Sequence, residues 1–313
     1  MSLIEITLEG HRDKVEEAVS LLRDFEPAEG YYLAFSGGKD SCVVKALCDK
    51  AGVKYEAHYQ VTSVDPPELV RFIRKHHPDV IFDVPHYNDG RPITMWNLIP
   101  KKKMPPTRIA RYCCAVLKET GGKGRVVLTG VRWAESVNRT KKQGLIRIGN
   151  TKSVKSLAAE MGIEASRYGD IVFNDDNSET RTFLERCIRT DKMMINPIVA
   201  WTDDDVWEFI RAYNVAYCEL YGNGYKRLGC IGCPMNTNAE KELEAYPKYK
   251  SAYLRAFRRM LDVYDYDTQW KTPEDVMDWW LGKKKSSHDM QLDMFEIDEM
   301  AALDDETPLI GGY

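Results

Sequence analysis

Apolar residues at Val15, Ala18, Val19, Leu22 and Phe25 recur three and four positions apart, so Glu5–Phe25 predicts an amphipathic helix packed on a sheet edge. The period then changes. Tyr31-Tyr32-Leu33-Ala34-Phe35 is a short apolar run of strand type, and Cys42-Val43-Val44-Lys45-Ala46-Leu47-Cys48 has helical character. Val53–Val61 predicts a strand, Pro67–His76 a helix opened by proline, and Val80–Phe82 a short strand. The stretch Pro100–Pro106, rich in proline and lysine, predicts a loop; Tyr112–Glu119 predicts a helix, and Arg125–Thr129 a strong strand closed by Gly130. Strands alternating with helices imply an α/β fold with a doubly wound, mainly parallel sheet that binds ligand at its strand carboxyl ends.

Further on, Val154–Met161 and Thr180–Arg189 predict helices, with a polar turn at Asn174–Asn177 between them. Met194–Ile198 reads as extended and Asp203–Tyr213 as a helix capped by Thr202. After Pro234 the pattern predicts one long charged helix over Ala239–Tyr264 and a second over Pro273–Leu281. The stretch from Ser286 is acidic and poor in bulky core residues, which is the composition of a tail. The expected organisation is therefore an N-terminal helix (1–28), a nucleotide-binding domain carrying the cysteines (29–236), a C-terminal helical extension (237–285) and an acidic tail (286–313).

Composition narrows the possibilities. At 313 residues and 43% apolar content the chain can bury a full core, and its net charge of −4 gives no global attraction to nucleic acid. Any polyanion contact needs a local basic face, for which Lys101-Lys102-Lys103 running on to Arg108, Arg111 and Lys118 is the candidate. No window reaches a membrane-spanning length and Met1-Ser2-Leu3-Ile4-Glu5 has no secretory signal, so a cytoplasmic protein without membrane partners is expected. In that compartment the eight cysteines are read as free thiols, metal ligands or redox groups.

Between the first apolar strand and its helix stands Ser36-Gly37-Gly38-Lys39-Asp40-Ser41. A strand that ends in small residues and reopens as a helix leaves backbone N–H groups and the positive end of a helix dipole aimed at one spot, here with a lysine beside it. That arrangement holds phosphate. The six residues depart from G-x-x-x-x-G-K-[ST] and resemble instead the pyrophosphate loop of the PP-loop ATP pyrophosphatases, which implies cleavage between the α and β phosphates.

Cys113-Cys114 and Cys230-Ile231-Gly232-Cys233 supply four thiols, a set suited to tetrahedral Zn²⁺ or to a 4Fe-4S cluster. Adjacent side chains diverge, which suits a cluster of separated irons better than one small ion. Cys42, Cys48 and Cys187 sit among apolar helical residues and read as core; Cys218 is an alternative ligand should Cys113 or Cys114 face away. Trp201 and Trp207 read as core anchors, while Trp133 follows a strand that ends at the ligand side.

Together with the loop, Asp65-Pro66-Pro67-Glu68, Arg111–Lys118, Gly130-Val131-Arg132-Trp133-Ala134-Glu135-Ser136, Pro197–Trp201 and Gly229–Pro234 resemble the phosphoadenosine phosphosulfate (PAPS) reductase-like family over residues 30 to 236. The resemblance implies an adenine nucleotide alpha hydrolase-like fold and places a 4Fe-4S cluster on Cys113, Cys114, Cys230 and Cys233. Sulfonucleotide reductases of this family end in a Glu-Cys-Gly nucleophile, whereas no cysteine follows Cys233 here, and the loop keeps Lys39 and both glycines. The pattern is closest to the iron-sulfur members related to DNA phosphorothioation ATPases. It implies that Ser36, Gly37, Gly38, Lys39, Asp40, Ser41 and Gly130 hold Mg²⁺-ATP. Lys39 would neutralise the leaving pyrophosphate, Asp40 face the Mg²⁺, and Arg132 and Arg139 approach the α-phosphate or an anionic acceptor. The implied partners are a nucleic acid or nucleotide acceptor and a sulfur-donor protein such as a cysteine desulfurase. A sulfonucleotide (APS or PAPS) reductase releasing sulfite, and a nucleotide-binding assembly subunit without catalysis, are the alternatives.

Overall fold

The computed structural model describes residues 3–7, 10–135, 143–149, 152–164, 166, 170–174, 193–263 and 270–283. Arg139, Cys187, the helix expected at Thr180–Arg189 and the acidic stretch from Ser286 lie outside the described residues. The chain divides into two compact units assembled from interleaved segments: residues 1–59, 68–82 and 121–228 form one, and residues 60–67, 83–120 and 229–313 the other. This differs from the consecutive division expected from the sequence, since the cysteine motifs group with the C-terminal helices.

The first unit opens with an antiparallel pair, β1 (Ile4–Thr7) and β2 (Gly10–Asp13), before α1 (Lys14–Asp24). The single helix expected over Glu5–Phe25 is corrected on this point. Gly10 adopts φ +129°, which breaks a helix, and the Asp13 carboxylate accepts hydrogen bonds from the Val15 and Glu16 N–H groups to start α1 there. Val15, Ala18, Val19 and Leu22 are nonetheless the buried face of that helix.

A seven-stranded sheet forms the centre, in the order β5 (Ile81–Asp83), β4 (Tyr55–Gln60), β3 (Tyr31–Ala34), β6 (Val126–Leu128), β9 (Met193–Ile195), β7 (Ile146–Ile148) and β8 (Ile171–Phe173). β3 runs parallel to β4 and β6, and β6 parallel to β9; β7 lies antiparallel to both β9 and β8. The sheet is thus mainly parallel, with one reversed strand near its edge. Its helices include α2 (Lys39–Ala51), α3 (Pro67–His76), α6 (Lys152–Glu160) and α7 (Asp203–Ala212). Gly52 closes α2 in the left-handed region with its N–H on the Cys48 and Asp49 carbonyls. Thr202 caps α7 as the sequence predicts, in a capping box with Asp205, whose carboxylate also takes the buried Lys14 ammonium at 2.9 Å. The order β4-β3-β6 means that the connection after β3 leads to one side and the next strand lies on the other. This makes a switch point at the carboxyl ends of β3 and β6.

In the second unit α4 (Met95–Lys102), α5 (Tyr112–Leu117), α8 (Ala239–Ala245), α9 (Pro247–Leu261) and α10 (Pro273–Trp280) surround a core that includes Leu98, Ile99, Ile231, Leu243, Tyr253, Phe257 and Met260. Two expectations are corrected here. Pro100 lies inside α4 rather than opening a loop; lacking an N–H it frees the Trp96 carbonyl, which accepts instead from the Arg259 guanidinium. The long helix expected over Ala239–Tyr264 is two helices, because Pro247 disfavours helical geometry at Tyr246 and opens α9 in its first turn.

Candidate functional site

The loop after β3 turns sharply at Gly37, with φ +72°. A Cβ there would stand 2.7–2.8 Å from the Ile73 and Leu69 side chains, so both the backbone conformation and the space admit only glycine. Ser36 and Ser41 brace the turn: their hydroxyls lie 3.2 Å apart, the Ser36 N–H donates to Ser41 Oγ and Ser41 Oγ donates to the Gly38 carbonyl at 2.9 Å. The Gly38 N–H reaches Ser36 Oγ at 3.4 Å, and the Lys39 N–H donates to the Tyr221 hydroxyl at 2.9 Å. Among the described residues the N–H groups of Gly37, Asp40 and Ser41 meet no acceptor, which leaves three donors open on one face of the loop.

A charge network stands behind that face. The Lys39 ammonium lies 3.2 Å from Asp40 Oδ2 and 3.1 Å from Asp203 Oδ1. Arg132, only 2% exposed, donates through Nε to Asp40 Oδ1 at 2.7 Å, through Nη2 to Asp203 Oδ1 at 2.6 Å and through Nη1 to the Trp201 carbonyl. Burial opposes the Arg132 charge, but Asp40 and Asp203 outweigh it and raise the guanidinium; Lys39 and Arg132 in turn lower Asp203 against the upward push of its own burial. The structure sets Arg132, expected at the α-phosphate or an anionic acceptor, against Asp40 and Asp203. A buried guanidinium must be paired, and two protein carboxylates already occupy it. Gly130 is where the sequence places it, at the end of β6: a Cβ would come 2.9 Å from the Asp40 carbonyl carbon, so the strand end and the start of α2 touch through glycine.

The second unit carries the thiols. Cys113 and Cys114 lie on α5, while Cys230 and Cys233 flank a turn in which Gly232 takes φ +71° beneath Leu243 and Trp280. The Ile231 N–H donates to the Val64 carbonyl, and the Ile231 carbonyl accepts from the buried Tyr253 hydroxyl, fixing the turn. Cys114, Cys230 and Cys233 all act electrostatically on Cys113. The Cys113 S–H donates to Cys114, which with Arg111 lowers the Cys114 thiol and drives Cys113 upward, while Cys230 and Cys233 add to that rise. Burial pushes Cys230 up to about 12, opposed by Lys118, and Cys230 points to Asp65 Oδ1 at 3.7 Å. Packed surroundings disfavour charge on Lys118, yet Cys230 and Asp65 raise its ammonium, and the side chain keeps contact with solvent. Arg111 reaches Cys114 Sγ at 3.5 Å. Four thiols with two cations beside them are the donor chemistry of a thiolate-bound cluster. Among the described residues no group of three or more His, Cys, Asp or Glu side chains is placed to hold a metal ion.

Cys42, Cys48 and Cys218 are buried in the first unit, and burial raises each thiol. Trp201 is a core residue, Trp207 is half-buried against Tyr217 and Tyr221, and Trp133 donates to the Gln143 carbonyl. Two residues at the loop escape sequence reasoning: Tyr221, whose signal is the Gly-rich run Tyr221-Gly222-Asn223-Gly224-Tyr225, and Asp203, hidden behind the Thr202 cap. No described helix is long and apolar enough to cross a membrane.

The mainly parallel sheet with a Gly-Gly-Lys turn at its switch point is an α/β fold whose open donor loop lies at the strand ends. The chain belongs to the phosphoadenosine phosphosulfate reductase domain family, whose pattern matches residues 30–236. A protein of Methanocaldococcus jannaschii with no assigned function is 25% identical over 269 residues, covering 83% of this chain and 56% of that one, so the chain spans about half the length of this relative. Adenosine 5'-phosphosulfate reductases match over short stretches: that of Oceanobacillus iheyensis is 36% identical over 63 residues, 20% of this chain and 26% of its own. Among solved structures, PAPS reductase from Candida auris in a phosphate complex aligns with TM-score 0.40 at 17% identity, covering 69% of this chain and 87% of that one. FMN adenylyltransferase from Candida glabrata, with FAD and inorganic pyrophosphate, aligns with TM-score 0.41 at 12% identity over 92% of this chain and 81% of its own.

Proposed function

We propose that this chain binds ATP at the Ser36–Ser41 loop and cleaves it to AMP and pyrophosphate, activating an acceptor for sulfur transfer. The observation that carries the reading is the Lys39 ammonium, set at the opening of α2 beside the unpaired N–H groups of Gly37, Asp40 and Ser41. Backbone N–H groups and an ammonium at one turn suit the β and γ phosphates that leave as pyrophosphate. In the reaction an oxygen of the acceptor attacks the α-phosphorus and the bond to the bridging oxygen breaks. Pyrophosphate departs with the electron pair, stabilised by Lys39 and the loop N–H groups. Arg132 fixes Asp40 from behind and thereby fixes Lys39. The outer sulfur of a donor protein's persulfide then attacks the activated atom and displaces AMP, and a second thiol of the donor cleaves the resulting S–S bond, leaving the sulfur on the acceptor and a disulfide on the donor. Asp40 would hold Mg²⁺, which when bound neutralises phosphate charge. Cys113, Cys114, Cys230 and Cys233 would hold the 4Fe-4S cluster, with Arg111 and Lys118 offsetting its negative charge.

A second reading, reduction of a sulfonucleotide with release of sulfite, is favoured by the short matches to adenosine 5'-phosphosulfate reductases. Calorimetric titration separates the two. The ATP reading requires Mg²⁺-ATP to bind at least tenfold more tightly than AMP or adenylyl sulfate. Equal or tighter binding of adenylyl sulfate, with sulfite released in the presence of a dithiol, would establish the reductase instead.

A further inference from the structure

Helix α9 carries Lys248, Lys250, Arg255, Arg258 and Arg259 and no acidic residue, and all five cations are exposed. Its inner face, Tyr253, Ala256, Phe257 and Met260, is buried in the core of the second unit, so the charges form the outer face. At about 1.5 Å per residue the row from Lys248 to Arg259 spans about 16 Å. Beside it lies an open groove of about 620 Å³, lined by Trp96, Arg255, Arg258 and Arg259, with Glu274 also on its wall. The Arg259 guanidinium is held by the Trp96 carbonyl, whereas the guanidinium groups of Arg255 and Arg258 have no hydrogen-bond or ion-pair partner among the described residues. The half-buried Trp96 ring is fixed by Tyr253 and Tyr249, with centroids at 5.1 and 6.4 Å. Apart from Trp96, these residues lie beyond residue 236, where the family match ends, so the family's chemistry leaves the groove unexplained.

We propose that this groove binds single-stranded nucleic acid, with the arginines of α9 on successive phosphates and a base against Trp96. One phosphate would need one or two cations; Lys248, Arg255, Arg258 and Arg259, which share one helix face, match a chain of phosphates. A fixed aromatic surface among the arginines is the feature that a base uses and an acidic peptide or a lipid headgroup does not. With a net charge of −4 over the whole chain, the attraction is local to this face. The site stands independently of the ATP reaction proposed above.

The test is fluorescence anisotropy of a labelled oligothymidylate with the full chain, without nucleotide, across roughly 50 to 200 mM KCl. The expected result is salt-dependent binding that Arg255→Ala/Arg258→Ala weakens at least tenfold. The same variant should flatten the slope of log Kd against log salt by about 1.4, the share of two phosphate contacts on a single strand. Arg255→Lys/Arg258→Lys retains most of the affinity and the slope, and Trp96→Phe weakens binding less than the double alanine variant. Unchanged affinity in the double alanine variant at an unchanged melting temperature overturns the proposal. So does displacement of the oligonucleotide by polyglutamate at equal charge concentration, which would assign the groove to acidic protein.

Discussion

Replacing Gly130 with alanine probes the contact on which the nucleotide loop depends. The added methyl carbon would stand 2.9 Å from the Asp40 carbonyl carbon and 3.1 Å from Asp40 Cβ and O, where ordinary contact begins at 3.4 Å. The obstacle is backbone at the start of α2, so relief requires moving the helix end by about half an ångström. Overpacking of this kind costs about 1–3 kcal/mol. The shift also carries Asp40 off the 2.7 Å bond from Arg132 and tilts the Lys39 ammonium with it. Gly130→Ala is therefore expected to lower the melting temperature by several degrees and to weaken binding of a non-hydrolysable ATP analogue by about tenfold or more. Gly229→Ala serves as control, since its Cβ meets nothing within 4 Å, and should melt like the parent. Parental melting and parental ATP affinity in Gly130→Ala would refute the reasoning.

Arg132→Met removes the cation shared by Asp40 and Asp203; about 3 kcal/mol is expected by urea denaturation, the low end for a broken buried pair because Asp203 stays largely in water and Lys39 remains. Burial holds the His77 imidazole down to about 4 from 6.5, so the unfolded chain takes up a proton before the folded one does. Stability is thus complete above about pH 6.5 and falls by up to about 1.4 kcal/mol per unit as pH drops toward 4; His77→Gln should flatten that part of a urea-midpoint profile. Anaerobically purified protein is expected to contain about four iron and four sulfide per chain, and Cys230→Ser/Cys233→Ser to lose both, with stoichiometric zinc as the contrary result.

The parallel sheet and the loop were legible because each element there obeys a local rule. A short apolar run, two glycines and a helical run form a strand, a turn and a helix whatever surrounds them. Glu5–Phe25 misled because the apolar period of α1 extends visually across Gly10 and Asp13, which end one element and cap the next. Pro100 misled in the other direction: a proline inside a helix is tolerated when a distant side chain, here Arg259, takes up the freed carbonyl. Arg132 could be placed near the loop by its position after β6, but its two carboxylate partners are 92 and 71 residues away in sequence and follow only from the fold. Tyr221 contacts Lys39 across 182 residues, a pairing that no local pattern encodes.

Product analysis after incubation with Mg²⁺-ATP and a nucleic acid acceptor, followed by ³¹P NMR, addresses the central claim most directly. The loop geometry predicts AMP and pyrophosphate in equal amounts, with the rate falling about a hundredfold in Lys39→Met. ADP and orthophosphate as products, or a Lys39→Met variant as active as the parent, would contradict it.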